Sequence, residues 1–137
     1  MDFLNKTAIV TGAGQGVGRG IALALAAYGA NISLLGRTFS KVEQVAKEII
    51  DNGGSALPIE CDVKNLKSIE NGIQLTIKKY NSLQFLVNNA QEVPLGSILD
   101  VEEQAFIAGW DSGPLATFRF MRLCYPHLKG DGKIINL

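Results

Sequence analysis

The chain has 137 residues, 47% of them apolar and 19% charged, enough for one domain around one hydrophobic core. Thirteen basic residues balance thirteen acidic ones, so no net field draws the chain to nucleic acid or to an anionic membrane. The N-terminal MDFLNKTAIVTG lacks the basic region and long apolar run of a secretory signal, Ile21–Ala27 is too short to span a bilayer, and Cys61 and Cys124 read as reduced core thiols of a cytoplasmic protein rather than a disulfide framework.

Two kinds of segment alternate along the chain. KTAIV (6–10) opens as a short, near-continuously apolar run, the pattern of a strand buried on both faces. An Ala-rich helix follows, with Ile21, Leu25 and Tyr28 on one face and a stop at Gly29. NISLLG (31–36) is the second strand. A helix beginning after Ser40 carries Val42, Val45, Ile49 and Ile50; Glu43 would complete a capping box with Ser40, and Gly53 marks the end. ALPIEC (56–61) reads as the third strand, and Leu66, Ile69, Ile73 and Ile77 mark the third helix. LQFLVN (83–88) is the fourth strand. One or two helices occupy Val101–Lys129, with a break and new start at Gly113-Pro114. KIINL (133–137) is the fifth strand. Alternating strands and helices predict an α/β fold: a Rossmann-type, doubly wound parallel sheet of about five strands in three α/β/α layers, with ligands bound at the C-terminal strand ends. One domain covers residues 1–137.

The first strand runs into TGAGQGVGRG and then a helix. The G-x-G-x-x-G fingerprint fits in no register; T-G-x-x-x-G-x-G does, through Thr11, Gly12, Gly16 and Gly18. Glycines let an anion approach the main chain, and the free N–H groups and dipole of the helix start hold it. A glycine-rich turn can also connect strand to helix and bind nothing; the strand–turn–helix context favours a nucleotide.

TGAGQGVG resembles the cofactor turn of the short-chain dehydrogenase/reductase family. Asp62-Val63 after the third strand and LVNNAQ (86–91) after the fourth resemble two further motifs of that family, in order and over Lys6–Leu137. The resemblance implies a nicotinamide dinucleotide held by Thr11, Gly12, Gly14, Gln15, Gly16, Val17 and Gly18, by Asp62 and Val63 at the adenine, and by Asn88, Asn89 and Ala90 at the ribose and central sheet. Asp62 can alternatively cap the next helix, and the asparagines can serve as turn residues. The family's glycine is Gln91 here. At the end of the second strand stand Gly36, Arg37 and Thr38. No carboxylate is there to repel a phosphate, and Arg37 offers a bidentate partner to a 2′-phosphate, with Thr38 adding a hydroxyl. The expected cofactor is therefore NADP(H) rather than NAD(H), with neutral Gln15 moderating the preference.

The resemblance further implies hydride transfer between nicotinamide and a carbonyl or alcohol of a small-molecule substrate, by a tyrosine–lysine pair and a serine that follow the fifth strand. This chain ends at Leu137, so no residue in it is assigned a catalytic role, and the chain alone is expected to be inactive. Gly113 stands where the family carries a relay asparagine. Tyr125 and Lys129 have the catalytic spacing but precede the fifth strand; they read as a helix end, with Lys129 complementing the helix dipole. His127 has no partners for a metal site. In the family the helix over about Pro114–Lys129 packs between subunits, so the resemblance implies a homo-oligomer, dimer or tetramer, with Phe118, Met121, Leu123 and Tyr125 as apolar surface. The competing reading is a non-catalytic dinucleotide-binding or subunit-assembly module. The two diverge at the reading frame after Leu137: a serine followed by Tyr-x-x-x-Lys supports the enzyme, a stop codon the module.

Overall fold

A computed structural model describes residues 2–128 and 130–137. Five parallel strands form one sheet in the order β3-β2-β1-β4-β5: β1 Thr7–Thr11, β2 Asn31–Gly36, β3 Ser55–Glu60, β4 Phe85–Asn88 and β5 Lys133–Asn136. The strand order reverses between β1 and β4, where Ile9 lies beside Leu86 and Val10 beside Val87.

Helices cover both faces, and side-chain alternation along the strands decides which core each residue joins. Ala8, Val10, Ile32 and Leu34 point to one face, where α1 (Gly16–Ala27) and α2 (Phe39–Asp51) pack through Ala22, Val42, Val45 and Ile49. Ile9, Leu35, Ile59 and Leu86 point to the other, where α3 (Leu66–Tyr80) contributes Ile69 and Ile73, and a later helix contributes Ala116, Phe120 and Cys124. Burying both faces explains why these strands read as continuous apolar runs rather than alternating ones.

The helices depart from the sequence expectation in several places. In α1 the fully buried positions are Gly18 and Ala22; Ile21 and Leu25 of the expected face pack against the core half-buried, while Tyr28 is half exposed. Helix α2 starts at Phe39, with Thr38 as N-cap and no side-chain cap, so Ser40 and Glu43 form no capping box and Ile50 lies outward. Gly113-Pro114 does not break the last helical segment. α4 (Glu103–Trp110) continues through a π-helical turn, Asp111–Leu115, into α5 (Ala116–Cys124). A proline inside a helix removes one backbone donor and crowds the preceding turn; the wider π turn absorbs both. Of the expected apolar surface on α5, Phe118 and Tyr125 are exposed, whereas Met121 and Leu123 pack against the core.

Strand β5 is an edge strand exposed along its whole length, and Leu95, Ile98 and Leu99 in the segment before α4 are 90%, 92% and 92% exposed. None of the described helices is long and apolar enough to cross a membrane.

Phe120 is the largest fully buried side chain. Phe120→Ala is expected to cost about 3–5 kcal/mol of stability, read by denaturant unfolding, because the cavity it leaves lies between α5 and the sheet.

Candidate functional site

The loops after β1, β2, β3 and β4 converge at the C-terminal end of the sheet around a cleft of about 390 Å³. From the predicted set, Gly12, Gly14, Gln15, Gly16, Val17, Arg37, Thr38, Asp62, Val63, Asn89 and Ala90 line it. Thr11, Gly18 and Asn88 stand behind it.

Thr11 is buried at the end of β1. Its hydroxyl oxygen accepts from the backbone N–H groups of Asn89 (3.0 Å) and Ala90 (2.9 Å), and its proton points to the carbonyl of Val87 (3.4 Å). The Asn89 amide returns the contact, donating to the carbonyls of Thr11 (3.0 Å) and Gly12 (3.3 Å). These bonds lace the two strands together where their chains part to opposite faces. Asn88 turns the other way: its Nδ2 donates to Asn136 Oδ1 at 2.9 Å, across to β5.

The glycines of the turn have separate tasks. Gly12 (φ +63°) and Gly16 (φ +55°) adopt the left-handed conformation that side chains disfavour. A Cβ on Gly18 would stand 2.3 Å from the Gly12 carbonyl oxygen and 2.5 Å from Asn89 Nδ2, so α1 could not seat against the strand ends. Gly16 has no heavy atom within 4 Å of its Cβ position, so the turn is bare on the side where α1 begins. The first turn of α1 has no side-chain cap and no acidic residue. Its N–H groups and positive dipole end are available to an anion.

Three cations, Arg37, Lys41 and Lys64, and two carboxylates, Asp62 and Glu92, stand around the same cleft. Arg37, just past β2, pairs with Glu92 (2.6 Å), and Lys64, past β3, pairs with the same Glu92 oxygen (2.8 Å). The Lys64 hydrogen bond, with Arg37 adding to it against partial burial, holds the Glu92 carboxyl below its usual range. Lys41, on the first turn of α2, donates to Gln15 Oε1 at 2.7 Å. Its stem lies across Gly14, where a Cβ would meet Lys41 Cβ at 2.9 Å. Sequence reading missed Lys41, Lys64 and Glu92. The spacing of four between Arg37 and Lys41, one turn into a helix, was a usable signal; nothing local marked Glu92.

Asp62 does not cap α3. Its Oδ1 accepts from Lys64 N at 2.9 Å, closing a turn, and the cap is Asn65, whose Oδ1 accepts from Ser68 N at 3.0 Å. The helix starts at Leu66, one turn too late for Asp62. Gln91 has an ordinary backbone, since only Asn5 and Asn81 among described non-glycine residues have positive φ. Its carboxamide lies beside Gly113, with Oε1 3.8 Å from the position of a Gly113 Cβ.

Tyr125 is 75% exposed in a short 3-10 turn, Tyr125–His127, that leads toward the start of β5, and it does not line the cleft. Lys129 lies outside the described residues. His127 is exposed, and no group of three metal-ligating side chains gathers among the described residues. Burial pushes the Cys124 thiol up to about 12 and raises that of Cys61, so neither is poised as a nucleophile.

A protein-family model described as short chain dehydrogenase matches residues 6–137. The 12alpha-hydroxysteroid dehydrogenase of a Clostridium species is 38% identical over 98% of this chain and 55% of its own length. A 3-ketoacyl-ACP reductase from Sinorhizobium meliloti is similar in structure (TM-score 0.89, 36% identity, 93% of this chain and 51% of that one). So is a 7alpha-hydroxysteroid dehydrogenase solved with NADH and 7-oxo glycochenodeoxycholic acid (TM-score 0.92, 27% identity, 99% and 54%). The chain thus spans about half the length of these relatives.

Two alanine substitutions two residues apart test the packing of the turn. Gly20 is exposed with open space around it, so Gly20→Ala is expected to stabilise by about 0.5–1 kcal/mol, whereas Gly18→Ala is expected to cost upwards of about 2 kcal/mol. Thermal melts of both variants check the opposite signs.

Proposed function

The chain belongs to the short-chain dehydrogenase family, and we propose that it is the cofactor-binding portion of an NADP(H)-dependent oxidoreductase that moves hydride between the nicotinamide and a carbonyl or alcohol substrate. The family fixes oxidoreductase chemistry with a nicotinamide dinucleotide. The observation that carries the finer reading is Arg37 at the end of β2, lining the cleft with Thr38, Lys41 and Lys64 and with no carboxylate at the strand end.

In this reading residues 1–137 form a single dinucleotide-binding domain. The uncapped start of α1, with Gly14, Gln15, Gly16 and Val17, holds the pyrophosphate. Asp62 and Val63 flank the adenine, Asn89 and Ala90 line the ribose, and Thr11, Gly18 and Asn88 support from behind. Arg37 and Thr38 take the 2′-phosphate. When bound, the cofactor supplies the hydride; these residues place it and exclude water from one side. Proton transfer belongs to residues outside the set described, because the only tyrosine with catalytic-like spacing, Tyr125, is away from the cleft. The similar proteins named as acting on hydroxysteroids and a ketoacyl thioester support a small-molecule carbonyl or alcohol as substrate. We place the protein in the cytoplasm, as its unpaired, unreactive thiols favour.

The exposed apolar residues Leu95, Ile98, Leu99, Trp110 and Phe118 support a homo-oligomer, and equally the alternative of a non-catalytic assembly module. The chain is expected to elute in gel filtration above its 14.7 kDa monomer mass; a stable monomer would count against association.

For the cofactor, NADPH is expected to bind more tightly than NADH. Arg37→Ala is expected to weaken NADPH about tenfold and NADH less than about twofold, as for loss of one charge-assisted contact to phosphate. Tighter binding of NADH, or NADPH affinity unchanged by the substitution, overturns the assignment.

A further inference from the structure

We propose that Glu92 is a specificity-determining residue: its carboxylate stands in for the 2′-phosphate of a dinucleotide, held by Arg37 and Lys64 until a phosphorylated ribose displaces it. The inference rests on the reading of the cleft as a dinucleotide site.

The three residues come from three different strand ends, after β4, β2 and β3, and all three line the cleft. The bridge therefore joins three separate loops at the cleft rather than decorating one of them. One Glu92 oxygen takes both cations, at 2.6 Å from Arg37 and 2.8 Å from Lys64. The backbone on each side is fixed. Glu92 N–H donates to Ser112 Oγ (2.7 Å) in the π-helical turn, and Gly109 lets the helix approach the Glu92 carbonyl, to which an added Cβ would stand at 3.1 Å. The Lys64 carbonyl accepts from Arg119 (3.3 Å) on α5. The main chain is thus pinned, while the Glu92 side chain is about a third exposed, so water reaches it once its cations are taken.

A phosphomonoester carries roughly −1.5 to −2 charges and three acceptor oxygens, so it replaces the single carboxylate at Arg37 with a gain in attraction. An unphosphorylated ribose offers Arg37 nothing in exchange and leaves the bridge in place. The bridge therefore subtracts from the affinity of 2′-phosphorylated ligands and leaves that of unphosphorylated ones nearly alone. Arg37 without the bridge would favour 2′-phosphorylated ligands more strongly than Arg37 with it.

The test compares adenosine 2′,5′-bisphosphate with adenosine 5′-monophosphate by calorimetry on wild type, Glu92→Gln, Arg37→Ala and the double variant. Glu92→Gln is expected to tighten the bisphosphate about fivefold, the scale of one exposed ion pair, and to change the monophosphate less than twofold. In the Arg37→Ala background the gain should shrink to less than about twofold. Equal effects on both ligands, or no gain for the bisphosphate, overturn the proposal. If wild type does not favour the bisphosphate and Arg37→Ala changes nothing, the NADP(H) assignment fails. The role of Glu92 then still stands or falls on whether Glu92→Gln shifts the ratio. A measurement on wild type needs no variant to fold: the Glu92 carboxyl, followed by carbon NMR, should titrate at higher pH once the bisphosphate is bound, because its cations are taken. An unmoved titration also overturns the proposal.

Discussion

The reciprocal hydrogen bonding of Thr11 and Asn89 is the constraint on which the cleft depends. At the ends of β1 and β4 the sheet order reverses, and the two chains leave for opposite faces. Backbone donors stranded there would cost about 1–3 kcal/mol each if buried without partners. One hydroxyl takes two of them, and one carboxamide returns two bonds to the carbonyls of Thr11 and Gly12. With Asn89 Nδ2 lodged against the turn, Gly12 and Gly18 have no room for a side chain. The clamp thus sets where α1 begins and aims its positive end into the cleft. The anion-binding geometry follows from how the strands are tied, and the glycines are what that tie permits.

The strands were legible because each is a short apolar run, a pattern that needs no knowledge of partners; β1, β2 and β4 are buried along most of their length, while β5 is exposed. The glycine turn was legible because its residues are contiguous. Helix starts were less so. Ser40 and Glu43 have the composition of a capping box, but the chain already enters the helix at Phe39, and a cap works only at the first turn. Likewise Asp62 lies too far ahead of Leu66, and Asn65 takes the task. The turn at Gly113-Pro114 shows the limit of reading a proline as a stop. Helix packing on both sides, through Ser112 and Ala116, holds the segment continuous and leaves local widening as the cheaper adjustment.

Contacts between distant residues were not legible at all. Arg37 and Glu92 are 55 positions apart, and their meeting requires β2 and β4 to flank β1 with their loops at one end. Lys41 needed the bare surface of Gly14 to lie on. The overall charge of the chain is balanced, and that balance hides a local arrangement: Arg37, Lys41 and Lys64 line the cleft with Asp62 and Glu92, and Glu92 alone pairs with two of the cations. Net charge is an argument about the whole surface and carries no information about a site the size of one phosphate.

Ser112 joins the two themes. Its hydroxyl accepts from Glu92 N–H and donates to the Ala108 carbonyl at 2.7 Å, so the irregular helix turn fixes the segment after β4 that lines the cleft. Gly109, one turn before Ser112, leaves space for the Glu92 carbonyl and the Pro94 ring, each 3.1 Å from where a Cβ would stand. An ordinary α-helical turn with larger residues there would push the 91–94 segment outward and carry Glu92 away from Arg37 and Lys64. The π turn is therefore more than a response to Pro114. It sets the height at which the segment after β4 crosses the cleft, and with it whether a carboxylate can reach two cations on the far side.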